Sequence, residues 1–407
     1  MRRRLHATYH EFPRQFWLIA FGGLVSMAGS SLVWPFQFIY ISRTLGLRLA
    51  PVATLITLAS ATGLGVSFCA GAIADRLGRK PVMIFAQVTQ ALGWLLMSQA
   101  RSYVGFLIPM TMLSASQPFY AVGADVMMAD LVDPERRAFA YSITRTFNNV
   151  GIAMGPAIGG FVVSRSYPLA FHGAALVMLG YGAFLLVFVR ETLPRAARSR
   201  PAQGALTEGG YGRVFRDGRF MAFFTLCTLG MIGPLMFWTL LPVYTKQNFQ
   251  FPEHLYSWLP VTNALMCVFV QYQVTRITHR HRPLAMVTLG MLVYAVGVGS
   301  VAMMSSFWGF WASMVVFSLG ELIVVPTGTA YVANRSPIDL RGRYMSIYWM
   351  TWGLARTVAP VAGGLMNDHI SPHAIWYGGL LIGLASAAGL FLLGRGRSPA
   401  VVPEPAA

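Results

Sequence analysis

Four ionisable residues lie inside stretches that are otherwise apolar: Asp125, Arg145, Glu321 and Arg356. Charge is costly in such surroundings, so each is a candidate for handling a proton, an ion or a charged ligand. Glu321 falls midway through Phe317-Ser-Leu-Gly-Glu-Leu-Ile-Val-Val-Pro326. A carboxyl group there can trade a proton against a cation. The plainer role is an ion pair with Arg145 or Arg356, and a pair that breaks and reforms would serve both. Arg145 and Asn149 are four residues apart and share one helical face. Gln117 and Asp125, in an earlier stretch, could face the same cavity. Two arginines against two carboxylates leave that cavity near neutral, which argues against a purely cationic ligand set. The histidines fall at the ends of the apolar stretches, so a proton relay would have to use carboxylates.

The elements that position these residues read as membrane spans. Mean hydropathy is +0.55, 55% of residues are hydrophobic and 11% are charged, against about 25% charged in ordinary soluble domains. About 20 apolar residues cross a hydrocarbon core. Twelve stretches supply them, at roughly 16–40, 50–74, 81–100, 103–131, 138–163, 168–189, 220–244, 254–275, 284–304, 306–333, 343–366 and 373–394. The expected fold is an all-α membrane protein of twelve transmembrane helices. Abundant aromatics (Trp34, Phe36, Tyr40, Trp238, Tyr244, Trp349, Trp352) suit an interfacial belt or packing. Those near helix centres, with Met231, Met236 and Met266, could wall a site for amphipathic ligands.

A net charge of +17 raises the possibility of nucleic acid, and its distribution removes the need for it. With the N-terminus inside, cytoplasmic segments hold 24 of the 31 Lys and Arg, while the outer loops hold five: Arg43, Arg48, Arg101, Arg165 and Lys246. This positive-inside bias orients an integral, multi-pass protein of the cell (inner) membrane with both termini cytoplasmic. The basic margins also favour anionic lipid headgroups as neighbours. Cys69, Cys227 and Cys267 read as small buried apolar residues, with no disulfide or metal framework. Arg2-Arg3-Arg4 before an apolar run mimics a signal peptide, but the length of that run and the spans after it favour an uncleaved first helix.

The chain repeats itself. Residues 137–160 match 341–364 at a constant offset of 204: Arg137 with Arg341, Ser142-Ile143 with Ser346-Ile347, Pro156 with Pro360, Gly159-Gly160 with Gly363-Gly364. Gln117 meets Glu321 at the same offset. Two six-helix halves follow. We expect residues 1–189 as the N-terminal half, 190–219 as a basic cytoplasmic linker, 220–394 as the C-terminal half and 395–407 as a cytoplasmic tail.

Two motifs remain. Gly71-Ala-Ile-Ala-Asp75-Arg76-Leu-Gly78-Arg79-Lys80-Pro81 is a compact charged hairpin between two long apolar stretches. Its small residues let two helix ends approach closely, and an acid beside a helix N-terminus is favourable by about 0.3–1 kcal/mol. In the fifth span, Gly151, Gly155 and Gly159 recur every four residues with Pro156 and Gly160, a small-residue stripe of the kind that brings helices together in lipid.

The pattern Gly-x-x-x-Asp-Arg-x-Gly-Arg-Lys closely resembles the loop signature between the second and third spans of the major facilitator superfamily of secondary transporters. That resemblance covers nearly the whole chain and implies parallel six-helix halves with a site at their interface. It implies that Asp75 caps the start of the eleventh span near Gly342 and that Arg79 pairs with Asp130 at the end of the fourth. With Gly71, Arg76, Gly78 and Lys80 they would form a latch closing the cytoplasmic side. Without it, Arg76, Arg79 and Lys80 are only topology-setting charge. Gly-x-x-x-Gly-Pro-x-x-Gly-Gly in the fifth span resembles the signature of drug–proton antiporters, with Phe147 and Asn148 departing from its upstream part. Gly-Glu followed by a proline in the tenth span is similar to the multidrug branch, where that Glu binds cationic substrate or proton. An acid found in the fifth span of some cation exporters is missing, with Thr144 and Arg145 in its region.

The expected function is export of amphipathic small molecules in exchange for protons, by alternating access, with the proton gradient as energy source and no cofactor. The expected partners are a small-molecule substrate, protons and lipids, and the expected state is a monomer. One alternative is proton-coupled transport of a sugar, metabolite or lipid precursor on the same fold. The sugar-transporter signature Pro-Glu-Ser-x-Arg has only a faint echo in Glu191-Thr-Leu-Pro194-Arg195. Another is a non-transporting membrane sensor or scaffold. An enzyme is disfavoured, since no nucleophile–base set, metal cluster or phosphate loop is visible.

Overall fold

A single segment in lipid has to satisfy its own backbone hydrogen bonds, and the α-helix does so. The computed structural model describes residues 12–133, 136–193, 210–337 and 340–395, and among them each apolar stretch is helical. The first comprises α1 (Arg14–Ser31), a 3-10 turn at Trp34–Phe36 and α2 (Gln37–Leu45). There follow α3 (Leu49–Leu77), α4 (Arg79–Gln99), α5 (Tyr103–Leu131), α6 (Arg137–Arg165) and α7 (Tyr167–Phe188). After the polar stretch come α8 (Gly210–Arg216), α9 (Gly218–Phe249), the short series α10 (Glu253–Tyr256), α11 (Trp258–Phe269) and α12 (Gln271–Thr278), then α13 (Pro283–Ser300), α14 (Phe307–Arg335), α15 (Arg341–His369) and α16 (Ala374–Arg395).

Nine helices among the described residues are long and apolar enough to cross a membrane, α1 and α2 counting as one. The α5, α15 and α10–α12 stretches fall short of that measure. Polar residues dilute the first two: Gln117, Asp125 and Asp130 in α5, and Arg343, Arg356, Asn367 and Asp368 in α15. The third is in pieces, where the sequence suggests one continuous span. Pro260 has no N–H for the Tyr256 carbonyl, which separates α10 from α11. The second break falls where the Gln271 amide turns to the Leu322 carbonyl at 3.1 Å. Within the expected linker, α8 is helical and Asp217 already caps α9. The arginines at 2–4 and the expected tail beyond 395 lie outside the described residues, as does 194–209.

The helices pack in a pattern that follows the repeat. α1 lies against α6 and α7, and α4 against α5 and α7; later in the chain α13 lies against α14 and α16, and α9 against α15 and α16. The two sets meet through α3 with α15 and α6 with α11. The glycine stripe explains one of these contacts. A side chain at Gly151 would strike the Leu24 carbonyl and Met27, one at Gly155 would strike Ser31 and the Ala28 carbonyl, and one at Gly159 would strike Leu32. Gly160 sits instead on His254 and Ser257, across the junction. Ser31 Oγ donates to the Met27 carbonyl at 2.6 Å and reaches the Gly151 carbonyl at 3.2 Å. Phe147 and Asn148, which break the sequence motif, also belong to this packing: Phe147 meets the Trp17 ring and Asn148 meets Gly23. Of the cysteines, Cys227 is buried as expected, whereas Cys69 is exposed.

Candidate functional site

Near the middle of α14, Glu321 is held by an amide from the facing helix. Asn263 Nδ2 donates to Glu321 Oε2 at 2.9 Å and lies 2.9 Å from Ser318 Oγ, so one side chain fixes both polar groups of α14. Arg145 of α6 acts electrostatically on Glu321 from the other set of helices. Among the described residues Glu321 forms no ion pair with Arg145 or Arg356; its carboxylate is bonded to Asn263 instead. Asn263 is absent from the candidates read from sequence; its only signal is a lone amide in the apolar run Leu259–Phe269. Asn149 is half-buried one turn from Arg145. Gln117 and Asp125 are exposed on one side of α5, and Tyr141 of α6 donates to the Asp125 carbonyl at 3.1 Å. No contact among the described residues joins Asp125 to Glu321, Arg145 or Arg356. Arg356, at the centre of α15, places its guanidinium 6.0 Å from the ring of Trp34, which in turn packs 6.1 Å from Trp238 of α9.

The end of the bundle that carries the turns at 46–48, 100–102, 250–252 and 304–306 is closed. Asp368 at the end of α15 accepts from the backbone N–H groups of Leu49 (3.3 Å) and Ala50 (2.8 Å), the first turn of α3. The N-cap residue of α3, Arg48, supplies no side-chain cap, so the acid that caps this helix comes from the far end of the chain. Glu253, only 6% exposed, gathers Lys246 at 3.1 Å, the Tyr167 hydroxyl at 3.1 Å and Arg43 at 3.6 Å. Tyr167 and Arg43 precede the polar stretch and Glu253 follows it, so this cluster ties the two sets of helices together. Thr57 donates to the Thr357 carbonyl at 2.7 Å at the same junction.

The other, basic end is arranged differently. Asp75 is 56% exposed and pairs with Arg79 of its own hairpin at 3.7 Å; the side-chain surroundings of Gly342, where the resemblance places its partner, lie outside the described residues. A side chain at Gly71 would meet nothing within 4 Å. The close approach expected of Gly71 is therefore not made, whereas Ala70 and Ala74 in the same stretch are buried. Gly78 has φ 105°, a left-handed value that disfavours any side chain, where α3 turns into α4. Arg79 Nε lies 3.5 Å from Asp130 Oδ2, the pairing that the resemblance implies. Two further partners are new: Glu191 accepts from the N–H groups of Arg79 (3.2 Å) and Lys80 (3.1 Å), capping α4, and Thr192 donates to Asp130 at 2.7 Å. Glu191 belongs to the segment that only faintly echoes a sugar-transporter motif. Lys80 Nζ reaches the Leu186 carbonyl at 2.8 Å, and Arg76 is exposed.

A second acid–base knot stands at the basic end of the later helices. Asp217 accepts from Arg335 at 2.9 and 2.5 Å, from the Phe220 N–H at 3.0 Å and from the Tyr344 hydroxyl at 3.1 Å. Burial pushes its carboxyl up, but these donors outweigh that and hold it below the usual aspartate value.

A bundle of long apolar helices, closed at one end and carrying charged residues near its middle, has the form of a membrane transport protein. The family described as Major Facilitator Superfamily matches residues 19–252 and 235–407. The chain belongs to that superfamily and is an integral multi-pass membrane protein. It is 23% identical over 380 residues to a Na(+), Li(+), K(+)/H(+) antiporter of Planococcus maritimus, covering 85% of this chain and 86% of that protein. It is 22% identical over 383 residues to the multidrug resistance protein MdtH of Yersinia pestis (strain Pestoides F), covering 92% and 93%. The crystal structure of the nucleoside transporter NupG superposes with a TM-score of 0.73 at 14% identity, covering 95% of this chain and all of that one. These are transporters, not enzymes.

Proposed function

We propose that this chain is a secondary active transporter that exports amphipathic small molecules in exchange for protons. The observation that carries the reading is the setting of Glu321. Its carboxylate sits mid-helix, is held by the Asn263 amide at 2.9 Å, and lies within electrostatic reach of Arg145 on the opposing helices. A carboxyl in that position can give up its proton when Arg145 or a substrate cation draws close, and regain it when that charge withdraws. The approach of Arg145 varies as the two sets of helices move against each other, which couples proton exchange to access. Relatives named as a cation/H(+) antiporter and a multidrug resistance protein support export over uptake.

With the basic end read as cytoplasmic, the contacts at Asp368 and Glu253 close the outer side, while Asp75 is paired within its own hairpin. In the opposite state those contacts part, and Asp75 becomes available to the start of α15. The two six-helix units read from sequence would be the bodies that move. The test is accumulation by inside-out membrane vesicles of amphipathic fluorescent dyes, chosen to include cationic, zwitterionic, anionic and neutral members. Concentrative uptake driven by an imposed proton gradient and abolished by an uncoupler is expected for some of them. If every dye equilibrates identically in vesicles with and without the protein, the reading fails.

A further inference from the structure

Where the two sets of helices meet at mid-depth, a small cleft of about 30 Å³ is lined by Trp34, Gln37, Trp238, Thr239 and Arg356, with Ile56 and backbone neighbours completing it. Its polar groups are without partners. Among the described residues Arg356 forms no ion pair or hydrogen bond; its guanidinium lies over the Trp34 ring, 6.0 Å from the ring centre. The side chains of Gln37 and Thr239, both half-buried, likewise make no hydrogen bond among the described residues, and Arg356 is exposed to the cleft. Thr239 shares this with the buried Thr351. Most helical threonines here, such as Thr228, Thr245 and Thr262, donate to a carbonyl one turn back. The carboxylates that could neutralise Arg356 are engaged elsewhere: Glu321 with Asn263, Glu253 with Lys246 and Asp368 with α3. A guanidinium, an amide and a hydroxyl thus converge between two indole rings, and the charge that would complete the set is negative.

We infer that this cleft is the anion-recognition subsite of the transported molecule. The cleft has room for a carboxylate-type group alone, on the Arg356 fork and the Gln37 and Thr239 donors, and the aromatic or fused-ring body it belongs to would lie outside against Trp34 and Trp238. Arg presents a planar pair of N–H donors that matches a carboxylate, and the indoles supply a flat apolar wall at little entropic cost. Because Trp34 and Gln37 come from the first helices and Trp238, Thr239 and Arg356 from later ones, the subsite is assembled only when this junction is closed. The inference rests on the reading of amphipathic small-molecule transport and narrows its substrate class to compounds bearing an anionic group, zwitterions included.

The test is isothermal titration of purified protein with three probes of one ring system: naphthoate, naphthamide and naphthylmethylamine. Naphthoate is expected to bind tighter than naphthamide by about tenfold or more, the scale of one charge-assisted contact. Arg356→Gln should erase that difference while leaving naphthamide affinity unchanged, and Arg356→Lys should keep part of it. If Arg356→Gln does not give a monodisperse protein, Arg356→Lys and Gln37→Leu decide, each expected to weaken naphthoate selectively. Equal binding of naphthoate and naphthamide, tighter binding of the amine, or a naphthoate affinity indifferent to these substitutions overturns the subsite. The measurement needs no gradient, so a protein that binds naphthoate through Arg356 yet fails the vesicle test would sink the export reading alone.

Discussion

Replacing Asp368 by alanine should shift the balance between the two access states of this transporter. Asp368 accepts from the Leu49 and Ala50 N–H groups at 3.3 and 2.8 Å. It stands on α15 while those donors begin α3, so both bonds exist only while that end of the bundle is closed. Losing an N-terminal cap costs about 0.5–2 kcal/mol, and losing a carboxylate at a helix N-terminus costs about 0.3–1 kcal/mol more. Since Arg48 supplies no cap of its own, the closed state is expected to lose about 2 kcal/mol. At about 1.4 kcal/mol per factor of ten, the ratio of closed to open molecules falls about 30-fold. Spin labels at Val104 and Trp308, both exposed near that end and away from the cap, report the separation by pulsed electron resonance in a cysteine-free background. Asp368→Ala should enlarge the long-distance population, and Asp368→Asn should do so less. A distribution identical to that of the parent, with α3 intact by circular dichroism, would refute the idea that this acid is a closing contact.

At the basic end, Arg79→Asp and Asp130→Arg should each reduce transport, and the double reversal should recover more than either alone, with a coupling of about 1–2 kcal/mol; a double variant no better than the worse single one excludes direct pairing. Asp217→Asn should lower stability at neutral pH by about 2 kcal/mol, the scale of hydrogen bonds to a charged group. Because the Asp217 carboxyl is held below its usual value, its contribution is complete above the unfolded pKa of about 4 and is lost as pH falls through the lower folded one. Melting curves of parent and variant should therefore converge in acid below about pH 4, and a constant gap across pH would contradict that. Gly78→Ala places a side chain at φ 105° and should cost about 1–3 kcal/mol in thermal unfolding; an unchanged melting temperature would mean the turn relaxes.

The helices were legible because apolar runs of this length have few alternatives. Glu321 stood out because a carboxylate in such a run has to do something. Partners were harder to read. Asn263 is one amide in a span that Pro260 interrupts, and nothing local says it points at α14. Arg43 and Lys246 read individually as loop charges, and nothing local marks Glu253 or Asp368; the bonds of Glu253 to Tyr167 and of Asp368 to the start of α3 reach across distant parts of the chain. The hairpin of Asp75 shows the opposite limit. Its residue types resemble a latch, yet whether the latch is engaged depends on which end of the bundle is closed, and a sequence that serves both states cannot specify one. The glycine stripe at 151, 155 and 159 was readable as packing because its period alone sets one helical face.

Proton coupling through Glu321 is the central claim, and the most direct measurement counts protons. A dye accumulated by the vesicles is added to purified protein in weak buffer, and the pH change is compared with the amount bound. The parent protein should exchange about one proton per dye molecule, as linkage between binding and protonation requires, and the affinity should vary with pH. Glu321→Gln, fixed in the neutral form, should bind the dye with no proton exchange and no pH dependence. Proton exchange in Glu321→Gln equal to that of the parent would contradict the account and move the coupling role to Asp125.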